Sequence, residues 1–141
     1  HAEVGGDTHF TVHRFASSGP GSVNCFWVET AHALVVFDAQ RQISQARLAA
    51  AAMARHGKPI VAIVVSHAHP DHVGGLGIIA EAAGPGVPIY AAAETRADIA
   101  ADAGGYFSIA RAYLGDDFPA TVTAPTATLM PDEQLTVDGL V

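Results

Sequence analysis

The chain has a single cysteine, Cys25, so no disulfide can close within it, and the residue carries no signal of redox compartment. Cationic residues are also few: Lys and Arg number 7 against 14 Asp and Glu, for a formal net charge of −7. A surface of that sign repels phosphate backbones and anionic bilayers, which makes nucleic acid and membrane poor partners. Long apolar runs are missing as well. The longest, Ile60 to Val65, falls far short of the roughly 20 residues that a membrane-spanning helix needs. Charged residues make up only 15% of the chain and hydrophobic ones 50%, a balance that excludes an intrinsically disordered polymer. At 141 residues, residues 1–141 are expected to form one domain that buries roughly two-thirds of its unfolded surface.

What is present reads as alternating strands and helices. Thr8 to Phe15 alternates loosely and ends in the turn residues Ser17-Ser18-Gly19-Pro20-Gly21, as an edge strand would. Val23 to Thr30 and Ala33 to Phe37 are β-branched and aromatic runs with a short connection, which completes a three-stranded meander. From Gln42 to His56 the period changes: Ile43, Ala46, Ala50 and Met53 fall at helical intervals, and Gly57 and Pro59 mark the end. Ile60 to Val65 is apolar at both alternations, as in a central strand covered on both faces. Helices are expected over Leu76 to Ala83, Glu94 to Ala101 and Tyr106 to Leu114, and strands over Val87 to Ala91, Ala127 to Met130 and Gln134 to Val137.

The chemistry gathers between the central strand and the helix after it, in His67-Ala68-His69-Pro70-Asp71-His72. Two imidazoles two residues apart in a loop leaving a strand can converge on one cation. Asp71 and His72 add a carboxylate and a third imidazole within the next turn, and paired donors for a second cation are the arrangement by which two-metal hydrolases hold an attacking hydroxide. The alternative is that these are polar loop residues without a ligand. At this composition the His-x-His-x-Asp-His pattern would arise by chance on the order of once in a thousand chains. Its setting, a buried strand before it and Gly74-Gly75 opening a helix after it, is a further requirement that chance must meet.

Ser66 to Gly75 resembles the signature loop of the metallo-β-lactamase superfamily. The likeness extends upstream: a strand similar to Val23 to Val28, a hairpin strand ending in Asp38, then a helix leading to the metal-loop strand. The resemblance implies an α/β fold, half of an αββα sandwich with a mixed sheet and helices on one face. It implies that His67 and His69 bind one metal ion and Asp71 and His72 a second, with two zinc ions in a complete site and iron or manganese as alternatives. Asp38 is expected beside the site, orienting the ligand loop; its alternative is a cap on the following helix. The implied activity is hydrolysis of an acyl, ester, lactone, thioester or amide bond of a small-molecule substrate by a metal-held hydroxide, with Asp71 as the catalytic acid–base group. Competing readings are an iron-dependent redox member, or an inactive, self-associating fragment whose metal site is incomplete.

The chain departs from the family pattern in lacking the later histidines and bridging carboxylate, so it resembles an N-terminal half. Half a sandwich leaves an apolar sheet face in water, and a homodimer or a missing C-terminal half is expected to cover it. A glycine often stands two residues after the aspartate in the family; here Gln40 either reaches toward the pocket or, as preferred, begins the helix. His9, His13, His32 and His56 read as scattered single residues and not as ligands, and Cys25 as core. Tyr106, Phe107 and Tyr113 are candidates for a substrate-pocket wall, but Tyr106, Ile109 and Tyr113 also form a stripe at helical spacing, and packing is favoured.

Overall fold

In the computed structural model, which describes residues 9–18 and 21–140, the meander forms as β1 (Thr11–Ala16), β2 (Asn24–Glu29) and β3 (Leu34–Phe37). Thr8, where the first strand was expected to begin, lies outside the described residues. Strand β1 pairs antiparallel with β2, and β2 with β3. The chain then crosses over through α1 (Ile43–Ala54) to β4 (Ile60–Val64), which lies parallel to β3. The signature loop contains a short helix, α2 (Pro70–Val73), followed by α3 (Leu76–Ala83). After these come β5 (Ile89–Ala91), α4 (Ala93–Ala101), α5 (Tyr106–Leu114) and β6 (Ala127–Thr128). The sheet order is β1-β2-β3-β4-β5-β6, with β4, β5 and β6 parallel. This is the expected mixed α/β sheet, with β1 at an edge and β4 inside.

Side-chain alternation divides the sheet into two unlike faces. Cys25, Trp27, Leu34, Val36, Ile63 and Ile89 belong to one buried cluster with Ala49 and Met53 of α1 and with Leu76 and Ile79 of α3. Helix α1 buries Ala46, Ala49 and Met53, small residues along most of its inner face, and so can approach α3 closely. Its end is set as expected: Gly57 adopts φ 67°, and its N–H reaches the Ala54 carbonyl at 3.1 Å. The opposite face carries Val12, Phe26 and Phe37, which are 56%, 40% and 37% exposed. The helices therefore lie on one face.

The segment expected as a strand at Gln134 to Val137 is not one. Residues 131–140 hold two short turns, at 131–132 and 138–139, with irregular chain between them and a bridge between Val137 and Leu140, and Asp132 and Asp138 take left-handed φ of 63° and 51°. Leu129, Leu135, Val137 and Leu140 instead lie across the open sheet face, lining a groove with Val28, Val35, Phe37 and Val64. A strand needs a neighbour's ladder as well as β-branched residues, and this segment crosses a sheet face instead of joining an edge. Among the described residues no helix is long and apolar enough to cross a membrane.

Candidate metal centre

Two loops meet at the carboxyl ends of β3 and β4. Asp38 follows β3 directly and Ser66 lies two residues beyond β4. Backbone hydrogen bonds stitch the two together: Asp38 N–H to the Val64 carbonyl, Ala39 N–H to that of His72, and Gly75 N–H to that of Gln40, at 2.9, 2.9 and 3.0 Å. The glycine pair permits this approach. A Cβ on Gly74 would lie 1.9 Å from the Arg41 carbonyl oxygen, and one on Gly75 would lie 2.2 Å from that of Ala39. Pro70 stands in the first turn of α2, where its missing N–H costs nothing, and it sends Asp71 and His72 back toward His67.

The structure gathers the expected ligands. One donor atom from each of His67, His69 and Asp71 lies within 4.8 Å of the others. His72 adjoins them, its Nε2 3.4 Å from Asp71 Oδ2 and its ring 4.0 Å from that of His67. Asp38 sits beneath. Its Oδ1 accepts from Ser66 N–H at 2.8 Å, and its Oδ2 accepts from Ser66 Oγ at 2.8 Å and pairs with His72 Nδ1 at 2.9 Å. That last contact places the His72 proton on Nδ1 and leaves Nε2, on the Asp71 side, with a free lone pair. Asp38 makes no cap, since α1 begins at Ile43 with Gln42 before it.

Charge follows geometry. The hydrogen bond to Asp38 raises the His72 pKa against some loss from burial. Burial, with the neighbouring His72 and His69, lowers that of His67. For Asp38, burial pushes the carboxyl up, but the bonds from His72 and Ser66 outweigh it and leave the group below its ordinary value. The site thus holds a neutral-leaning imidazole beside a carboxylate-anchored one. Imidazoles and a carboxylate converging at this range form a donor set that fits a borderline cation such as zinc.

Several residues lie where sequence reasoning did not put them. Gln40 neither enters the pocket nor begins the helix: it is fully buried with φ 70°, and its Nε2 donates to the Phe15 and Val23 carbonyls at 3.3 and 3.0 Å. The left-handed φ explains why glycine suits this place. Tyr106, Ile109 and Tyr113 are not a packing stripe; they are 49%, 63% and 88% exposed, while Phe107 and Ala110 of the same helix are buried. Phe107 and Ala110 have helical spacing too, and periodicity alone does not choose between phases. The Tyr106 ring meets that of His69 edge to face at a centroid distance of 5.3 Å.

His13 and His56, read as scattered, converge with Glu29 near the end of β3 at which Leu34 lies, away from Asp38. Each partner there is already engaged. Glu29 accepts from Lys58 at 2.6 Å and pairs with His13 at 2.9 Å, while His56 Nε2 accepts from the Trp27 indole at 2.9 Å and turns Nδ1 to Glu29 at 3.4 Å. A cation at His56 Nδ1 would require moving its proton to Nε2, against the indole N–H. The cluster is a polar staple between β1, β2 and the end of α1. Cys25 is core as expected, and burial raises its thiol pKa.

Residues 18–131 match the family model described as the metallo-beta-lactamase superfamily. Among solved structures, a metallo-beta-lactamase from Pontibacter korlensis aligns with TM-score 0.66 at 16% identity, over 97% of this chain and 55% of that one. A Cronobacter sakazakii metallo-beta-lactamase with a HARLDQ motif gives TM-score 0.60 at 21% identity, over 83% and 43%. The Pseudomonas aeruginosa metallo-beta-lactamase FIM-1, in its mono-zinc form, gives 0.56 at 18% identity, over 91% and 49%. These superpositions establish a shared fold, and the chain spans about half the length of the structures it matches. Among curated proteins, none matches.

Proposed function

Because this chain belongs to the metallo-beta-lactamase superfamily, with the family's N-terminal architecture, we propose that it forms part of a metal-dependent hydrolase acting on an acyl, ester, lactone, thioester or amide bond of a small molecule. The observation that carries this reading is the convergence of His67, His69 and Asp71 donor atoms within 4.8 Å, with His72 beside them. His67 and His69 would hold one zinc ion and Asp71 and His72 a second. When bound, the metal supplies Lewis acidity, bringing water to ionise near neutral pH and polarising a carbonyl oxygen. The chain's own groups supply orientation and proton handling. Asp38 fixes the His72 tautomer and holds Ser66, keeping the loop in one shape. Asp71 orients the attacking water and carries its proton toward the leaving group.

The open sheet face, with Phe26 and Phe37 at its surface, would be covered by the other half of the sandwich or by a second copy of the chain. Turnover of an activated ester or lactone by the full chain under saturating zinc, compared with Asp71→Asn, tests the assignment. A loss of about a hundredfold or more is expected from removing a general acid–base group. Unchanged turnover would refute the role of Asp71.

A further inference from the structure

Helix α5 has two faces of opposite fate. Phe107 and Ala110 pack inward, while Tyr106, Ile109 and Tyr113 form a contiguous apolar strip on the outside. The strip begins at the metal centre, where the Tyr106 ring stands against His69. That ring is also held from behind: a Cβ on Gly104 would lie 2.6 Å from Tyr106 Cε2, so the ring rests on bare glycine backbone. The start of the helix is fixed by Asp102, which accepts from Phe107 N–H at 2.8 Å and from Ser108 Oγ at 2.9 Å. Asp102, Gly104 and Gly105 take positive φ of 47°, 79° and 72° to aim the turn. Tyr106 is therefore placed before any ligand arrives, which lowers the ordering cost of binding.

From Tyr106 to Tyr113 the helix rises about 10.5 Å, so the strip leads two turns away from the ligand cluster. Its helix offers no free cation to a charged chain, because Arg111 donates to the Pro119 carbonyl at 3.1 Å and lies over the Phe118 ring. We propose that this strip is the substrate ledge: Tyr106, Ile109 and Tyr113 receive a long apolar acyl chain whose carbonyl end lies at His67, His69 and Asp71. The strip offers apolar surface to the chain of a ligand whose polar end reaches the His69 side of the cluster. The proposal deepens the hydrolase reading and rests on it.

The test uses the full chain loaded with zinc and titrated calorimetrically with acetate, hexanoate and decanoate as product-like probes. Fully burying a methylene is worth roughly fourfold in affinity and a one-sided ledge about half that in free energy, so decanoate should bind about tenfold or more tighter than hexanoate. Ile109→Ser and Tyr113→Ser change exposed side chains and should lower that ratio to about threefold or less, with melting temperature and zinc affinity unchanged. A ratio near one in the parent, or one that both variants leave intact, overturns the ledge. So does a variant effect that appears only as dissociation of a dimer in sedimentation, which would make the strip an interface between copies. Zinc affinity, measured separately by chelator competition, keeps the two readings distinct. If zinc is held and chain length has no effect, the ledge fails alone; if zinc is not held, the metal reading fails and takes the ledge with it.

Discussion

Replacing Asp38 with Asn separates charge and tautomer control from shape. Both carboxylate oxygens are in use, Oδ1 by Ser66 N–H and Oδ2 by Ser66 Oγ and His72 Nδ1. An asparagine of the same shape tolerates the left-handed φ of 66° but must turn an amide NH2 toward one set of donors. If the NH2 takes the Oδ2 position, it faces the His72 Nδ1 proton, and His72 relieves the clash by moving that proton to Nε2. The nitrogen beside Asp71 then has no lone pair for a cation. Loss of such a supporting partner typically costs about 10- to 100-fold in metal affinity, about 1.4 to 2.7 kcal/mol. Asp38→Ala removes three hydrogen bonds and adds left-handed strain of about 1 to 2 kcal/mol, so it should also lower the melting temperature. Zinc affinity by chelator competition and thermal unfolding, run on parent and both variants, read the two effects. An Asn variant that binds zinc within about threefold of the parent would refute the tautomer argument.

The other expectations concern packing and charge. Gly75→Ala would place a Cβ 2.2 Å from the Ala39 carbonyl oxygen and 2.3 Å from Ala46 Cβ, and should destabilise by about 3 kcal/mol or more in denaturant unfolding. Gly57→Ala, with open space around it, should cost only about 1 kcal/mol; equal losses would contradict the close-approach reading. Met53→Ala, at a side chain 1% exposed between α1 and the sheet, should lose about 2 to 5 kcal/mol, and a loss under about 1 would mean that the site collapses freely. The Lys58 ammonium, with His13, holds the Glu29 carboxyl down to about 2 from an ordinary 4.5. Its stabilisation is present above 4.5 and is withdrawn as pH falls through about 2, so an NMR titration of the Glu29 carboxyl should show a midpoint near 2 that rises in Lys58→Met. A midpoint near 4.5 in the parent would dissolve the staple.

Much of the fold was legible because its signals are local. The apolar run Ile60–Val64 reads as an interior strand wherever it sits, and Gly57 and Pro59 end α1 by backbone geometry alone. The candidate metal cluster was legible because four chemically matched residues fall within six positions, and the loop brings their side chains together. What was missed depends on contacts distant in sequence. Gln40 is buried because Phe15 and Val23 present carbonyls to it, which no local pattern encodes. His13 and His56 are 43 positions apart in the chain and meet only once β1, β2 and α1 have packed. The outer strip of α5 was given to the core because Tyr106, Ile109 and Tyr113 have the same spacing that a buried face would have. Residues 134–137 have strand composition, but they lie across a sheet face, and among the described residues their one ladder partner is Leu140, bridged to Val137.

The claim on which the functional reading stands is that the imidazoles at 67 and 69 bind metal. X-ray absorption at the zinc edge, on the full chain loaded with one equivalent and on His67→Ala/His69→Ala, addresses it directly. The parent should show a nitrogen and oxygen shell with the multiple scattering of coordinated imidazole, and the double variant should lose most of it, keeping at most the contribution of the one imidazole of His72. A parent spectrum of oxygen neighbours alone, unchanged by the substitutions, would contradict the claim.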